Sequence, residues 1–332
     1  MNCLVTGGAG FIGSNLVHAL VNEGYIVDIV DNMNNGYLEN LDGLNTRHVL
    51  GSLVDIYEEV NEKDRAAHQV LLIESDFTDS PVLRRIACGK YDVIFHLAAN
   101  PRVSYTVENP YDTTDENLSK TVLLTEAVRR CKQQVRFVFS STCAAYGNPN
   151  DLPVHENAQK HPESPYGWQK GAVEDYLKLA SRLYGLESIS LRYFNVYGPR
   201  QRGDSPYSTA ISAWCDKISK NESLRFDGDG SQTRDMIYVS DVVQANILAA
   251  KSKAKLRGDV INIGTGKETS NIQIINAFRK KFENLSVTHA PARKGDVERI
   301  YANVQRAKDL LGFESTVSLV SGLTNTFSWW KI

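Results

Sequence analysis

Eight residues near the start of the chain, Thr6-Gly7-Gly8-Ala9-Gly10-Phe11-Ile12-Gly13, limit what this sequence can become. They come after a short apolar run, Cys3-Leu4-Val5, and lead into Phe11 to Glu23, which reads as a helix. Between a strand and a helix each glycine has a task. Gly7 permits the tight turn, Gly10 lets a pyrophosphate approach the backbone, and Gly13 lets the helix sit close to the sheet. The first helical turn, with Phe11 and Ile12, then presents unpaired N–H groups and a positive dipole end to the phosphates.

The remainder of the first half agrees with such a turn. Short apolar runs alternate with amphipathic stretches, the pattern of repeated βα units. Strands are expected over Tyr25 to Val30, Val70 to Ile73, Asp92 to Leu97 and Val135 to Ser140. Each is brief and apolar on both faces, as a sheet covered by helices requires. Helices are expected over Asn117 to Arg130 and Tyr166 to Tyr184. In the second, Val173, Leu177, Ala180 and Tyr184 recur at helical spacing, as a core stripe or as a face for self-association.

Residues 34–69 form a long polar connection with a charged, helix-prone piece, Asp55 to Arg65; connections of this length have structure of their own or a job. After Ser190 the texture changes: Arg192 to Gly203 and Phe226 to Asp235 are rich in Gly, Pro, Arg and Asp. Helical segments at Tyr207 to Lys220, Asp241 to Lys253 and Asn271 to Phe282 punctuate them. The fold class predicted is α/β, a Rossmann-type doubly wound parallel sheet with a smaller C-terminal α/β substrate-binding domain. The expected division is 1–190 for the dinucleotide, with 235–265 packing back on it, and 191–234 with 266–332 for the substrate.

Asp31 stands at the end of the second strand, about twenty residues after the glycine turn, where a carboxylate can accept hydrogen bonds from the adenosine ribose. It would repel a 2′-phosphate, and no Arg or Lys lies between Asn32 and Gly36 to receive one. NAD is favoured over NADP. Asp76-Phe77, after the third strand, either flanks the adenine or caps a helix.

Tyr166-Gly167-Trp168-Gln169-Lys170 puts a phenol and an ammonium one helical turn apart on one face. A free phenol titrates near ~10 and is a poor base at neutral pH. A neighbouring Lys170 ammonium and a cationic nicotinamide ring should draw Tyr166 down, making it a competent acceptor of a hydroxyl proton. Thr142 ends the run Phe139-Ser140-Ser141-Thr142, at the carboxyl edge where such sheets bind ligands. YxxxK alone arises by chance. Glycine turn, strand-end hydroxyl and YxxxK in that order within one α/β array form a far more specific pattern.

These features resemble the extended short-chain dehydrogenase/reductase family, and within it the UDP-sugar 4-epimerases. The likeness spans nearly the whole chain: Thr6 to Gly13, Asp31-Asn32, His96 to Ala99, Asn117, Ser140 to Gly147, Tyr166 to Lys170, Leu191 to Pro199, Arg234-Asp235 and Arg293 to Asp296. It implies 4-epimerisation of a UDP-hexose or UDP-N-acetylhexosamine with bound NAD. Thr142, Tyr166 and Lys170 would do the proton chemistry. Leu97, Ala98 and Ala99 would line the cofactor cleft, with Asn117 nearby and Lys170 on the nicotinamide ribose. Asn195 and Arg234 would hold the diphosphate, Arg293 and Asp296 the uridine end. Arginine suits phosphate through its permanent charge and bidentate fork.

Two departures refine the likeness. The family's 4,6-dehydratases carry an Asp-Glu pair after the strand-end Thr; this chain has Cys143-Ala144, so dehydration lacks its acid and base. The related decarboxylases carry Glu where Ala144 stands. A residue shortly after the Gly-Asp motif gates the sugar's C2 substituent in these epimerases; alignment puts Ile300 there, of intermediate size, and the stretch from Tyr193 to Arg202 leans toward N-acetylated substrates. Alternatives are another epimerase of the family, such as one for UDP-glucuronate, or a non-catalytic NAD-sensing module.

Composition sets further bounds. A formal net charge of −2 without a Lys/Arg run gives no nucleic-acid footprint. The five cysteines lack CxxC or Cys/His spacing, so no disulfide framework or zinc site is expected, and most should be buried. Asp227-Gly228-Asp229-Gly230-Ser231 lacks the closing glutamate of a calcium loop, and Gly264-Thr265-Gly266-Lys267 lacks full phosphate-loop spacing. No metal is expected. No apolar stretch approaches the roughly 20 residues that span a bilayer. A cytoplasmic protein without membrane partners is expected, and the resemblance implies a homodimer.

Overall fold

The computed structural model describes residues 1–53, 68–204, 209–291 and 297–332. The helix-prone piece at Asp55 to Arg65, like Arg293 and Asp296, falls outside them. Seven strands, β1 (Asn2–Thr6), β2 (Ile26–Asp31), β3 (Thr46–Leu50), β4 (Val70–Glu74), β5 (Val93–His96), β6 (Arg136–Thr142) and β7 (Glu187–Tyr193), join the Arg257–Ile263 strand in one eight-stranded sheet. The order is Arg257–Ile263, β7, β6, β5, β1, β2, β4, β3, and every pairing is parallel.

Strand periodicity sorts the core into two layers. Cys3 and Val5 of β1 and Val93 and Phe95 of β5 join one buried cluster, while Leu4 and Ile94 join the other. Helices Phe11–Asn22 and Val239–Lys251 cover the first face; Ser80–Ala87, Lys120–Arg130 and Pro165–Tyr184 cover the second. Strand β1 lies between β2 and β5, so the winding reverses there. The carboxyl ends of β1 and β5 mark the switch point of the sheet, the place where such sheets take ligands.

Some elements differ from expectation. Part of the polar 34–69 connection supplies β3, which pairs with β4 and forms the sheet's outer edge. The Asn117 helix begins earlier, with a π-turn over Asp115–Ser119 leading into Lys120–Arg130. Val173, Leu177 and Ala180 are core, but Tyr184 is exposed, so that stripe ends one turn early. Only Cys3 and Cys215 are buried; Cys131 and Cys143 are partly covered and Cys88 is exposed, against the expectation that most would be buried. Helix amphipathicity explains Cys88, which caps Ser80–Ala87 on its solvent side.

Beyond β7 the chain makes small pairings. Asn195–Tyr197 runs parallel to Met236–Tyr238, and Thr233–Arg234 sits between Thr269–Ser270 and Arg299–Ile300. Trp214, Phe226, Phe278 and Phe327 pack a second core there, with Trp214 and Phe278 edge to face at 5.4 Å. Among the described residues no helix is long and apolar enough to cross a membrane.

Candidate active site

The glycine turn has the shape its sequence demands. Gly7 adopts φ +70°, and a Cβ there would lie 2.8 Å from the backbone nitrogen of Ala98. A Cβ on Gly13 would fall 2.1 Å from the Gly7 carbonyl oxygen, so helix and turn touch backbone to backbone. Gly10 is different: a Cβ there would meet only that same oxygen, at 3.2 Å, and otherwise open space. That open side adjoins the N-terminus of Phe11–Asn22, for which Gly10 is the cap without a side chain. A cradle bounded by backbone N–H groups and bare of side chains fits a diphosphate.

Asp31 borders the cradle. Its Oδ2 accepts from the Ala9 N–H at 3.0 Å and its Oδ1 from the Met33 N–H at 2.9 Å. Burial pushes the carboxyl up, while those two donors pull it back. Asn32 closes its own loop by accepting from the Asn34 N–H at 3.1 Å. Asp76 is otherwise engaged. Lys120 holds it at 2.6 Å, and Thr78 donates to it from both hydroxyl and backbone. Burial raises this carboxyl, yet the Lys120 and Thr78 bonds outweigh it and hold the group low. Phe77 meets the His96 ring edge-on at 4.9 Å.

Behind the carboxyl ends of β1 and β5 runs a buried relay that motif reasoning misses. The Ala98 N–H donates to Thr6 Oγ1 (3.2 Å), Thr6 Oγ1 lies 2.7 Å from His96 Nδ1, and His96 Nε2 lies 2.9 Å from Thr121 Oγ1. The Thr121 hydroxyl donates in turn to the Asn117 carbonyl. With Thr121 Oγ1 donating onward, His96 Nε2 carries the proton and Nδ1 accepts from Thr6. Asn117 accepts from the Asn100 N–H at 2.7 Å and donates to Gln169 Oε1 at 2.8 Å. The relay thus fixes the Leu97-Ala98-Ala99 stretch and ties it to the helix bearing Tyr166. The available signal is a histidine closing an apolar strand.

Thr142 is the last residue of β6 and caps the short turn Cys143–Tyr146, accepting from the Ala144 N–H at 3.2 Å. Ser164 caps the Pro165–Tyr184 helix, with Pro165 at its first position, so Tyr166 falls in the opening turn. Its phenol lies beside the Thr142 side chain and near Cys143. Lys170, 1% exposed, donates to the Ser140 carbonyl at 2.8 Å and lies 4.6 Å from the Phe139 ring centroid. Burial draws this ammonium down to about 7, against the pull of Glu174.

The Tyr166 phenol departs from expectation. Sequence reasoning has Lys170 drawing it down; in the protein alone it is pushed up. Desolvation is the largest cause, Cys143 adds to it, and Thr142 opposes it. Lys170 does not compensate, because its ammonium is turned to the Ser140 carbonyl and is itself held near neutrality.

Arg234 and Ile300 are partners across adjacent strands, and Ile300 is buried with Tyr146, Phe194 and Ala302, against Cys143. Arg234 acts electrostatically on Cys143, whose thiol burial pushes up to about 12. Asn195 has a buried Oδ1 without a hydrogen-bond partner among the described residues, which leaves its amide available to a ligand. Asp235 is fully buried and accepts from the Thr265, Gly266 and Ala302 N–H groups, so the Gly264–Lys267 loop wraps a carboxylate rather than a phosphate. Among the described residues, no cluster of His, Cys, Asp and Glu could hold a metal ion.

A dinucleotide cradle at the switch point of a parallel sheet, facing a strand-end threonine and a Tyr/Lys helix, defines a class: dinucleotide-dependent α/β enzymes that move a proton at a carbinol. The sequence pattern of the NAD dependent epimerase/dehydratase family matches residues 3–264, and the chain belongs to that family. A UDP-glucose 4-epimerase of Mycolicibacterium smegmatis is 32% identical over 334 residues, 100% of this chain and 99% of its own. The UDP-glucose 4-epimerase of Thermotoga maritima, solved with UDP-glucose, superposes with a TM-score of 0.86 at 34% identity, covering 100% of this chain and 99% of its own. The UDP-N-acetylglucosamine 4-epimerase of Methanobrevibacter ruminantium, solved with UDP-N-acetylmuramic acid, gives 0.87 at 32% identity, covering 99% and 98%.

Proposed function

We propose that this protein interconverts the C4 epimers of a UDP-hexose or UDP-N-acetylhexosamine through a transient 4-keto sugar. The observation that carries the reading is the meeting of Thr142 and Tyr166 at the carboxyl edge of the sheet, with no carboxylic acid at Cys143 or Ala144. A site with a phenol but no second acid and base can shuttle one hydroxyl proton and cannot expel water from the sugar.

The glycine cradle with Phe11 and Ile12, together with Asp31, Leu97 to Ala99 and Lys170, would hold NAD, which supplies a hydride acceptor that becomes a donor once reduced. Tyr166, as the phenolate that a cationic nicotinamide ring beside it would favour, takes the C4 hydroxyl proton and later returns it. The Thr142 hydroxyl orients the sugar oxygen toward that phenol. Asn195 and Arg234, with Arg293 and Asp296, anchor the nucleotide while the sugar turns, so remote binding energy keeps the ketone from escaping. Ile300, packed against Cys143 and in register with Arg234, bounds the space for the C2 substituent.

Self-association as a homodimer is part of this proposal. Trp168, Leu179 and Leu183 expose an apolar stripe along the Tyr166 helix, and Val103, Val107 and Tyr111 are exposed on the neighbouring short helices. Two such faces would make a bundle about a two-fold axis. We place the enzyme in the cytoplasm, where five unpaired thiols stay reduced.

Incubation with UDP-glucose and UDP-N-acetylglucosamine side by side, followed by separation of epimers, tests the activity. Turnover of both is expected, with Ile300 as a permissive boundary. Absence of any epimer or 4-keto sugar from either would refute the reading.

A further inference from the structure

One more ionisable side chain is buried on the Tyr166 helix. Glu174, one turn past Lys170, is 1% exposed. Its Oε1 accepts from the Ser141 hydroxyl at 2.6 Å and from Arg192 Nε at 2.8 Å, and its Oε2 accepts from Arg192 Nη2 at 2.6 Å. Ser141 and Arg192 are register partners on β6 and β7, so a single carboxylate joins the helix to two adjacent strands at their carboxyl ends. The residue before Ser141 offers the carbonyl that holds Lys170, and the residue after it is Thr142. Arg192 is 3% exposed and lies over the Tyr146 ring at 4.4 Å.

An ion pair this deep is an expensive way to attach a helix to a sheet. Apolar residues of similar volume commonly do it as well or better, because neither charge then has to leave water. The neighbouring positions Val173 and Leu177 already supply such packing. The pair therefore calls for a reason beyond adhesion, and its surroundings provide one. Lys170 faces His96 from β5, the Phe139 ring and the Ser140 carbonyl from β6, and Glu174 from its own helix. Arg192 of β7 and Lys160, whose Nζ is 3.7 Å from Glu174, face the same carboxylate. Glu174 is the one carboxylate in that set.

We propose that Glu174 is a positioning residue for proton transfer: clamped by Arg192 and Ser141, it fixes the strand end bearing Thr142 against the helix bearing Tyr166, and it supplies the fixed negative charge that keeps Lys170 an ammonium in a dry site. This role rests on the epimerase reading. The drop of Lys170 to about 7 despite Glu174 shows how far burial would carry it without that charge.

The test is the pH profile of the NAD-loaded enzyme with UDP-glucose for wild type, E174Q, E174D and the paired variant E174Q/R192M, which leaves no uncompensated buried charge if E174Q folds poorly. In E174Q and in the pair, the alkaline limb of kcat should move to lower pH by about one unit or more, with KM within about threefold of wild type. E174D, which keeps the charge, should return the limb toward its wild-type position. A limb that stays in place in whichever neutral variant folds would overturn the proposal, leaving a purely structural ion pair. Nitrogen NMR of Lys170 in selectively labelled protein reads the same displacement without turnover. An inactive wild type would therefore sink the epimerase reading and leave this one separately decided.

Discussion

Thr6 and His96, ninety residues apart, share a buried hydrogen bond of 2.7 Å that locks the carboxyl ends of β1 and β5 together. Those two ends form the switch point where the cofactor is proposed to bind. Thr6→Val would leave His96 Nδ1 without its donor in a buried place, at a cost of about 1–3 kcal/mol. Urea unfolding should show that loss, and the purified variant should carry less NAD. Normal stability with full NAD content would contradict the role assigned to this bond.

The same histidine predicts an acid dependence. Burial, with Lys170 adding to it, holds His96 well below its ordinary 6.5. As pH falls through 6.5, the unfolded chain takes up a proton that the native protein refuses. Stability should therefore decline below 6.5 and keep declining until the folded value is reached. His96→Gln should flatten that slope by up to one proton, measured from unfolding free energies at a series of pH values.

Gly10 and Gly13 separate binding from folding. Gly13→Ala drives a Cβ to 2.1 Å from the Gly7 carbonyl and must displace the turn itself, so both melting temperature and NAD content should fall. Gly10→Ala meets one oxygen at 3.2 Å and should leave the melting temperature nearly unchanged, while its methyl group occupies the space meant for phosphate. NAD binding by the two, followed calorimetrically, should be weak in both. A Gly10→Ala protein that binds NAD like wild type would refute the assignment of the cradle.

Lys170 should be a liability for stability and a necessity for turnover. Folded, it releases its proton near 7; unfolded, it keeps it to about 10.5. Burying it is most costly below pH 7, where both states hold the proton, and the cost shrinks as pH rises from 7 to 10.5. Lys170→Met should accordingly be more stable than wild type near pH 7, with the advantage fading toward pH 10, and should have lost most of its kcat. Thermal melts across that range check the sign.

Tyr166→Phe removes the proposed proton acceptor and little else. Turnover should drop by about 10²–10⁴-fold, with NAD content and melting temperature retained. A wild-type minus variant absorbance titration of the NAD-free protein should place the missing phenol above its ordinary value of 10, in the direction burial imposes.

Local patterns are readable from sequence because spacing alone encodes them. The glycine turn is eight consecutive residues, and Tyr166 and Lys170 are one helical turn apart. What escapes depends on partners far along the chain. Strand β3 carries Arg47 and His48, and its polar character reads as loop; it is a strand because β4 offers it an open edge. Asp235 directly follows Arg234 in sequence, yet its donors lie at Thr265, Gly266 and Ala302. Lys170 and Glu174 fall beside Val173 and Leu177 on the buried side of their helix, and that oddity signals buried charge without naming Arg192 as the counterion. The direction of the Tyr166 shift is hidden as well, because desolvation is a property of the folded surroundings, not of neighbours in sequence.

The sheet is finished late. Strand β7 ends at Tyr193, but the strand that covers its open edge begins at Arg257, after much of the second region has been made. On the ribosome, the nascent N-terminal half must therefore wait, with an unpaired backbone edge exposed, until residue 263 has emerged. Truncation near residue 200 would not yield a tidy cofactor module but a fragment prone to sticking to others of its kind.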